Sequence, residues 1–375
     1  MSVALSVIIL VASICVLIAV HEWGHFIAAR LCKARVREFA IGMGPVFYSK
    51  QKKDGEGNPV GTKFSLRVFP VGGFCDLGED EASDDPDHFR NKKLWQKIFI
   101  LAFGAVMNVV IGFFILLAMN LMMIGEPDQQ PVITSIEEQS PYADKFQEGD
   151  RFYKINGHRI YNYTDFNFFS SRDADRPYDF VMLRDGEKVT LTGISRVPLP
   201  YLDESGNPRL DEEGQAIETP RFGILMAEEE TVTVKSAIIQ SGYLTVDCAR
   251  LIWISLGDMI TGNVKWSEVT GIVGIGGVVN EVVSQNQVDV RYRVIAILSI
   301  FGFVAVNLAV MNLLPVPALD GGRILFLFVS AFLLLVRKRP LSEKVEGAIH
   351  GVTMVLLLAL MVLMVFKDAI QLARR

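Results

Sequence analysis

Residues 3–25 read VALSVIILVASICVLIAVHEWGH, and the reading of this stretch decides the fold. From Val3 to Val20 no residue is charged, as expected of a helix crossing a bilayer whose apolar layer is about 30 Å thick. At its end His21 and His25 stand four residues apart, one helical turn up the same face. That spacing suits a zinc ion, and Glu22 between them is placed to act as general base on a water activated by the ion. An ionisable cluster in or beside lipid is costly and marks a functional site by default. The run has no basic leader and continues straight into the motif, so it reads as a retained span rather than a cleaved signal peptide.

Composition agrees. The chain has 375 residues, half of them apolar, and a net charge of −5. Long uncharged runs make it a membrane protein rather than two soluble domains. No Lys/Arg block is interleaved with aromatics, so nucleic acid is excluded as a partner. The four cysteines (Cys15, Cys32, Cys75, Cys248) form no CxxC pair, which argues against structural disulfides and against thiolate-bound zinc.

Outward from the motif, Arg30, Lys33, Arg35 and Arg37 follow the first span. Arg90, Lys92, Lys93 and Lys97 precede a second one, Ile98–Ile124, which carries the polar residue Asn108. Basic residues at both ends of the loop place it in the cytoplasm. Within the loop, Lys63–Leu77 alternates in apolar character and reads as a short hairpin or edge strand. Residues 1–125 thus form the first half of a membrane core. Residues 126–230 read as a β-rich extracytoplasmic domain with strands at Pro131–Ile136, Arg151–Ile155, Asp179–Arg184 and Lys188–Thr192. Turns fall at Asn156-Gly157 and Asp185-Gly186, and a polar insertion lies near residues 201–220. Residues 231–291 read as amphipathic or interfacial helices, with Ser236–Thr261 on the membrane surface and Val269–Val283 too short to cross. Residues 292–375 supply two further spans. Between Val294 and Val336 Asp320 is the only acidic residue, and a lone carboxylate there calls for a partner such as a metal ion. Prolines and glycines around it break the helix, which membrane depth tolerates where backbone lines a cavity. The fold class is therefore an α-helical polytopic membrane protein with four transmembrane helices and an inserted β-rich domain.

The H-E-x-x-H ending one span and the Leu319-Asp320-Gly321 of a later one resemble the site-2 proteases, and most closely their bacterial RseP/RasP-like branch. Gly42-Met43-Gly44-Pro45, Phe69-Pro70-Val71-Gly72-Gly73-Phe74 and Asn312–Gly322 are similar to motifs of that family. So is Phe103–Asn108, with Ala105 where proline is usual. Gly149–Gly157 is similar to a PDZ strand and turn, and there is material for one such domain. The resemblance implies an intramembrane zinc metalloprotease with a small membrane-associated β element. One Zn2+ would be held by His21, His25 and Asp320, with Glu22 as general base. Asn108 would hold substrate or steady the oxyanion, and Asn312, Pro315 and Pro317 would bind substrate. Implied substrates are single-span membrane proteins, such as anti-sigma factors or signal-peptide remnants, shortened first by an upstream protease. Implied too is a bacterial cytoplasmic membrane, with the PDZ domain and both termini outside and the active site toward the cytoplasm. A membrane scaffold with a structural metal site would want a fourth protein ligand, and His88, His158 and His350 are poorly placed for one. An ion transporter would want further charges through the spans and repeated halves, and neither is visible.

Overall fold

The computed structural model describes residues 3–56, 58–78, 83–128, 130–172, 176–200, 215–226, 231–262, 271–285, 288–338 and 341–373. Two compact units result, residues 1–122 with 244–375, and residues 123–243. In chain order the first begins with α1 (Val3–Leu31), β1 (Glu38–Lys53), β2 (Pro59–Asp76) and α2 (Leu94–Met122). The second holds β3 (Ser135–Ile136), β4 (Arg151–Ile155), β5 (His158–Arg159), α3 (Tyr163–Arg172), β6 (Tyr178–Arg184), β7 (Glu187–Ile194), β8 (Val197–Pro200), β9 (Glu218–Arg221) and β10 (Ile224–Leu225). The chain then continues through α4 (Val234–Thr261), α5 (Ile272–Ser284), α6 (Val290–Asn312), α7 (Asp320–Arg337) and α8 (Glu343–Ala373).

Among the described residues four helices are long and apolar enough to cross a membrane: Ala4–Leu31, Leu94–Met122, Val290–Asn312 and Lys344–Gln371. In lipid there is little hydrophobic drive between helices, so close packing of small residues does that work. Gly112 of α2 is an example: a Cβ there would stand 2.9 Å from Val306 Cγ2 on α6. Ala28, Ala29, Ile100 and Leu101 form the buried contact of α1 with α2. The second span ends at Met122, where the Arg291 guanidinium donates to the Met122 carbonyl, satisfying a helix-end acceptor. The 28-residue α4 falls outside the four spans, and its Ile252 packs with Val306 and Val310 of α6. The apolar run read at Val269–Val283 appears as α5; residues 269 and 270 lie outside the described ones.

α5 has no side-chain cap of its own at Gly271. The buried Asp368 of α8 supplies one, accepting from Gly274 N at 2.9 Å. Asp368→Ala should therefore cost about 1–2 kcal/mol, as loss of a good N-cap does. The check is a lower thermal midpoint in detergent; an unchanged midpoint would mean that this helix end is hydrated instead.

The β element is more folded than a hairpin. Glu38–Ile41 lie between two segments of β2, with Cα partners Lys63–Leu66 on one side and Gly73–Asp76 on the other. Farther out, Val46–Lys53 pair back with Arg67–Pro59. Gly42 and Gly44 (φ +87° and +83°) and Gly72 (φ +83°) turn the strands, at angles that glycine adopts at little cost. At the root, burial would raise the Glu38 pKa, but hydrogen bonds from Ser65 (2.5 Å) and Arg67 (2.9 Å) hold it below the usual carboxylate range.

The second unit follows the expected strands closely. Its four-stranded antiparallel sheet has the order β5-β4-β6-β7. Both hairpins close on the turns read from sequence: Asn156-Gly157 and Asp185-Gly186 have positive φ at both positions, as a two-residue I′ turn requires. Of Pro131–Ile136 only Ser135–Ile136 is strand, with Val132 in an isolated bridge to Arg151. Helix α3 was not expected from its aromatic-rich sequence. Its start is nonetheless marked: Asn162 Oδ1 accepts from Asp165 N and Asp165 Oδ2 from Tyr161 N, a reciprocal cap. Phe166 on α3 packs on Phe152 of β4 at 4.6 Å between ring centroids. Asp150, fully buried, is held by two 2.7 Å hydrogen bonds from Arg184. Of the insertion near 201–220, residues 201–214 lie outside the described ones. Its end forms β9, paired with β8.

Candidate metal centre

His21 and His25 project from α1 and meet Asp320, the first residue of α7. His21 Nε2 and His25 Nε2 are 3.1 Å apart, and Asp320 Oδ2 lies 2.9 Å from the first and 3.2 Å from the second. A tetrahedral zinc with bonds of about 2.0–2.1 Å sets its nitrogen and oxygen donors roughly 3.3 Å apart. The three donors fit that triangle closely. Both histidines are buried, at 6% exposure each, and three electron-rich atoms crowded away from water call for a cation. His25 Nδ1 faces the Ile100 carbonyl at 2.9 Å. That nitrogen must carry the proton, which leaves Nε2 with its lone pair directed at the centre, the usual arrangement behind a metal-bound imidazole.

Glycines make room for the rings. A Cβ at residue 104 would stand 2.5 Å from His25 Nε2 and 2.9 Å from His21 Cε1. At Gly24 it would meet the Phe103 carbonyl at 2.6 Å. The two helices therefore touch backbone to backbone at the site. Ala105, fully buried, sits in unbroken helix, where a proline would remove a helix hydrogen bond. On the other side, α6 stops at Asn312 and the chain turns through Leu313–Leu319 before α7 begins. Cβ atoms at Gly321 and Gly322 would collide with the carbonyls of Leu313, Leu314 and Val316. Only glycines let the first turn of α7 fold back on this connection and carry Asp320 to the histidines.

Glu22, half-buried, is on the same helix beside the β element. Its carboxylate lies beside the Cys75 backbone, and a Cβ at Gly73 would lie 3.5 Å from Glu22 Cγ. Burial, helped by the charges of Glu22 and Asp76, pushes the Cys75 thiol up to about 12. Phe64–Leu66 have strand partners on both sides, so among the described residues the stretch of β2 beside Glu22 with a strand partner on one side only is Gly73–Asp76. Lys63–Leu77, read as a short hairpin or an edge strand, is thus covered on both sides by β1 at Phe64–Leu66 and paired on one side at Gly73–Asp76.

Of the other residues read from sequence, Asn108 is fully buried, with its amide nitrogen 3.3 Å from His21 Nδ1. Asn312 comes within 3.3 Å of His21 Nε2. Both asparagines therefore border a histidine of the cluster. Pro315 and Pro317 belong to the α6–α7 connection: Pro315 is the centre of a three-residue turn closed by Val316 N on the Leu314 carbonyl (2.7 Å), and Pro317 lies in the turn that follows, closed by Leu319 N on the Val316 carbonyl (3.1 Å). Gly104 was part of the motif read around Asn108, but its contact with both imidazoles was not foreseeable, because it depends on how two helices cross. His350 was set aside as poorly placed, yet its Nδ1 accepts from Ala318 N at 2.8 Å, two residues before Asp320.

Comparison with known proteins gives the same answer. The model of peptidase family M50 matches residues 9–360. A Clostridium perfringens protein with a zinc-metalloprotease name is 33% identical over 94% of this chain and 95% of its own. The regulator of sigma-W protease RasP of Bacillus subtilis is 25% identical, covering 94% and 95% of the two chains. Metalloprotease MmpA of Caulobacter vibrioides is 27% identical, covering 94% and 92%. With zinc-type donors brought together from α1, a helix long enough to span a bilayer, and from the start of α7, the chain belongs to peptidase family M50, the site-2 proteases, and is a membrane-integral zinc metalloprotease.

Proposed function

We propose that this protein hydrolyses peptide bonds within the transmembrane segments of single-span membrane proteins. Its zinc would be held by His21, His25 and Asp320. The observation that carries the reading is the closing of three donor atoms to within 3.2 Å of one another on apolar helices, with Glu22 alongside. A zinc ion held there supplies Lewis acidity to the scissile carbonyl and acidifies water. Glu22 takes the proton of the attacking water and passes it to the nitrogen of the departing amine. Asn108 binds substrate or steadies the oxyanion, and Asn312, Pro315 and Pro317 bind substrate along the α6–α7 connection.

A helical span in lipid already bonds its own backbone, so it must unwind before it is cut. The Gly73–Asp76 edge beside Glu22 is suited to capture the unwound segment as an added strand. The β-rich unit acts as a PDZ-like domain that screens out substrates with large ectodomains, so that an upstream protease must shorten them first. Anti-sigma factors are one such substrate class, by extension from the sigma-W regulator among the relatives. Signal-peptide remnants are another. Basic residues flanking α1 and α2 assign the site to the cytoplasmic side of a bacterial inner membrane, with the PDZ-like domain and both termini outside.

The test is purified protein in detergent with a tagged single-span substrate. The new terminus should map inside the span, and product should vanish on zinc chelation and return on zinc addition. A cut outside the span, or one indifferent to zinc, overturns the proposal.

A further inference from the structure

The connection that delivers Asp320 contains an unfavourable turn. Leu319 N donates to the Val316 carbonyl at 3.1 Å, Pro317 is the second residue, and Ala318, the third, has φ +79°. That is a type II turn, which favours proline at the second position and requires positive φ at the third, normally a glycine. Alanine is strained there and stays only where its surroundings over-determine the conformation. The other four non-glycine residues with positive φ among the described ones (Lys33, Asn156, Asp185, Lys338) sit at helix ends or in two-residue hairpin turns. Ala318 instead stands two residues ahead of a buried carboxylate.

A second element holds it. His350, from α8, accepts the Ala318 backbone N–H on Nδ1 at 2.8 Å. Its ring packs on Phe326 of α7, with centroids 5.0 Å apart. Its Nε2 faces Glu346 Oε1 at 3.9 Å, so the carboxylate draws the ring proton to Nε2 and leaves Nδ1 as the acceptor. We propose that His350 is a positioning residue: it clamps the Pro317-Ala318 turn and through it fixes the Asp320 carboxylate against His21 and His25. The inference rests on the reading of Asp320 as a zinc ligand.

The test measures zinc retention of the purified full chain against a chelator, with substrate cleavage in parallel. His350→Phe keeps a ring against Phe326 but has no acceptor. It should lose zinc about tenfold faster, the lower range for loss of a group that orients a metal ligand. His350→Asn, whose Oδ1 overlies Nδ1, should recover most of that loss. Ala318→Gly placed in the His350→Phe background should recover it too, because glycine needs no clamp to hold positive φ. Asp320→Asn serves as the reference. If it sheds zinc while His350→Phe retains zinc like the parent, the clamp is wrong and the site reading stands. If Asp320→Asn retains zinc, the site reading falls and the clamp with it. If His350→Phe sheds zinc but Ala318→Gly brings none of it back, the ring acts only through general packing of α8 and the proposal is overturned.

Discussion

Glu22→Gln should reduce cleavage of a single-span substrate by about a thousandfold or more, toward the upper range for a general acid–base group, while the protein still binds one equivalent of zinc. Glutamine has nearly the shape of glutamate and fits the same place beside the Cys75 backbone. It cannot take a proton from water at neutral pH. His21, His25 and Asp320 are untouched, so metal content should stay at the parental level. The measurement pairs metal analysis with a cleavage time course on the same preparation. Loss of both zinc and activity would give Glu22 a structural role instead. Retention of both would show that the observed product comes from another protease.

Gly104→Ala is expected to empty the centre without touching a ligand. The added methyl would stand 2.5 Å from His25 Nε2 and 2.6 Å from its Cε1, well inside contact distance. His25 cannot retreat easily, because Nδ1 is held by the Ile100 carbonyl at 2.9 Å and the ring is buried. Either the imidazole swings out of the donor triangle or α1 and α2 part. Displacing a ligand should weaken zinc binding by at least the roughly hundredfold that loss of an orienting partner can cost, with activity falling in step. Gly112→Ala is the comparison. Its methyl would meet Val306 Cγ2 at 2.9 Å, a side chain remote from the donors, so it should cost about 1–3 kcal/mol of stability, as overpacking does, and leave zinc in place. Equal zinc affinity in the two variants would mean that Gly104 matters only for helix packing.

The legible parts of this molecule were local. An uncharged run ending in His21-Glu22-Trp23-Gly24-His25 names both the span and two candidate ligands, because helical spacing alone places the rings on one face. The lone Asp320 among prolines and glycines was conspicuous because a carboxylate in an apolar stretch needs a partner. Asn156-Gly157 and Asp185-Gly186 announced their hairpins because few residues tolerate positive φ at both turn positions. Less was visible where several roles fit one pattern. The aromatic run of α3 was not read as a helix, and the strand-like Lys63–Leu77 could not reveal which of its residues would be covered by β1.

By itself, then, the sequence determined four apolar helices, a β-rich insert, and a donor set of two histidines and one carboxylate with a glutamate beside them. Tertiary structure alone decided how these become a site. Residues 21 and 320 meet at 2.9 Å only because Gly24 and Gly104 let α1 touch α2, and because Gly321 and Gly322 fold α7 onto its own connection. Whether a glycine is a hinge, a spacer or merely tolerated depends on what stands where its side chain would be, and that neighbour comes from another part of the chain. The same holds for His350: nothing near it in sequence points to Ala318, and only the packing of α8 brings its lone pair to that backbone N–H.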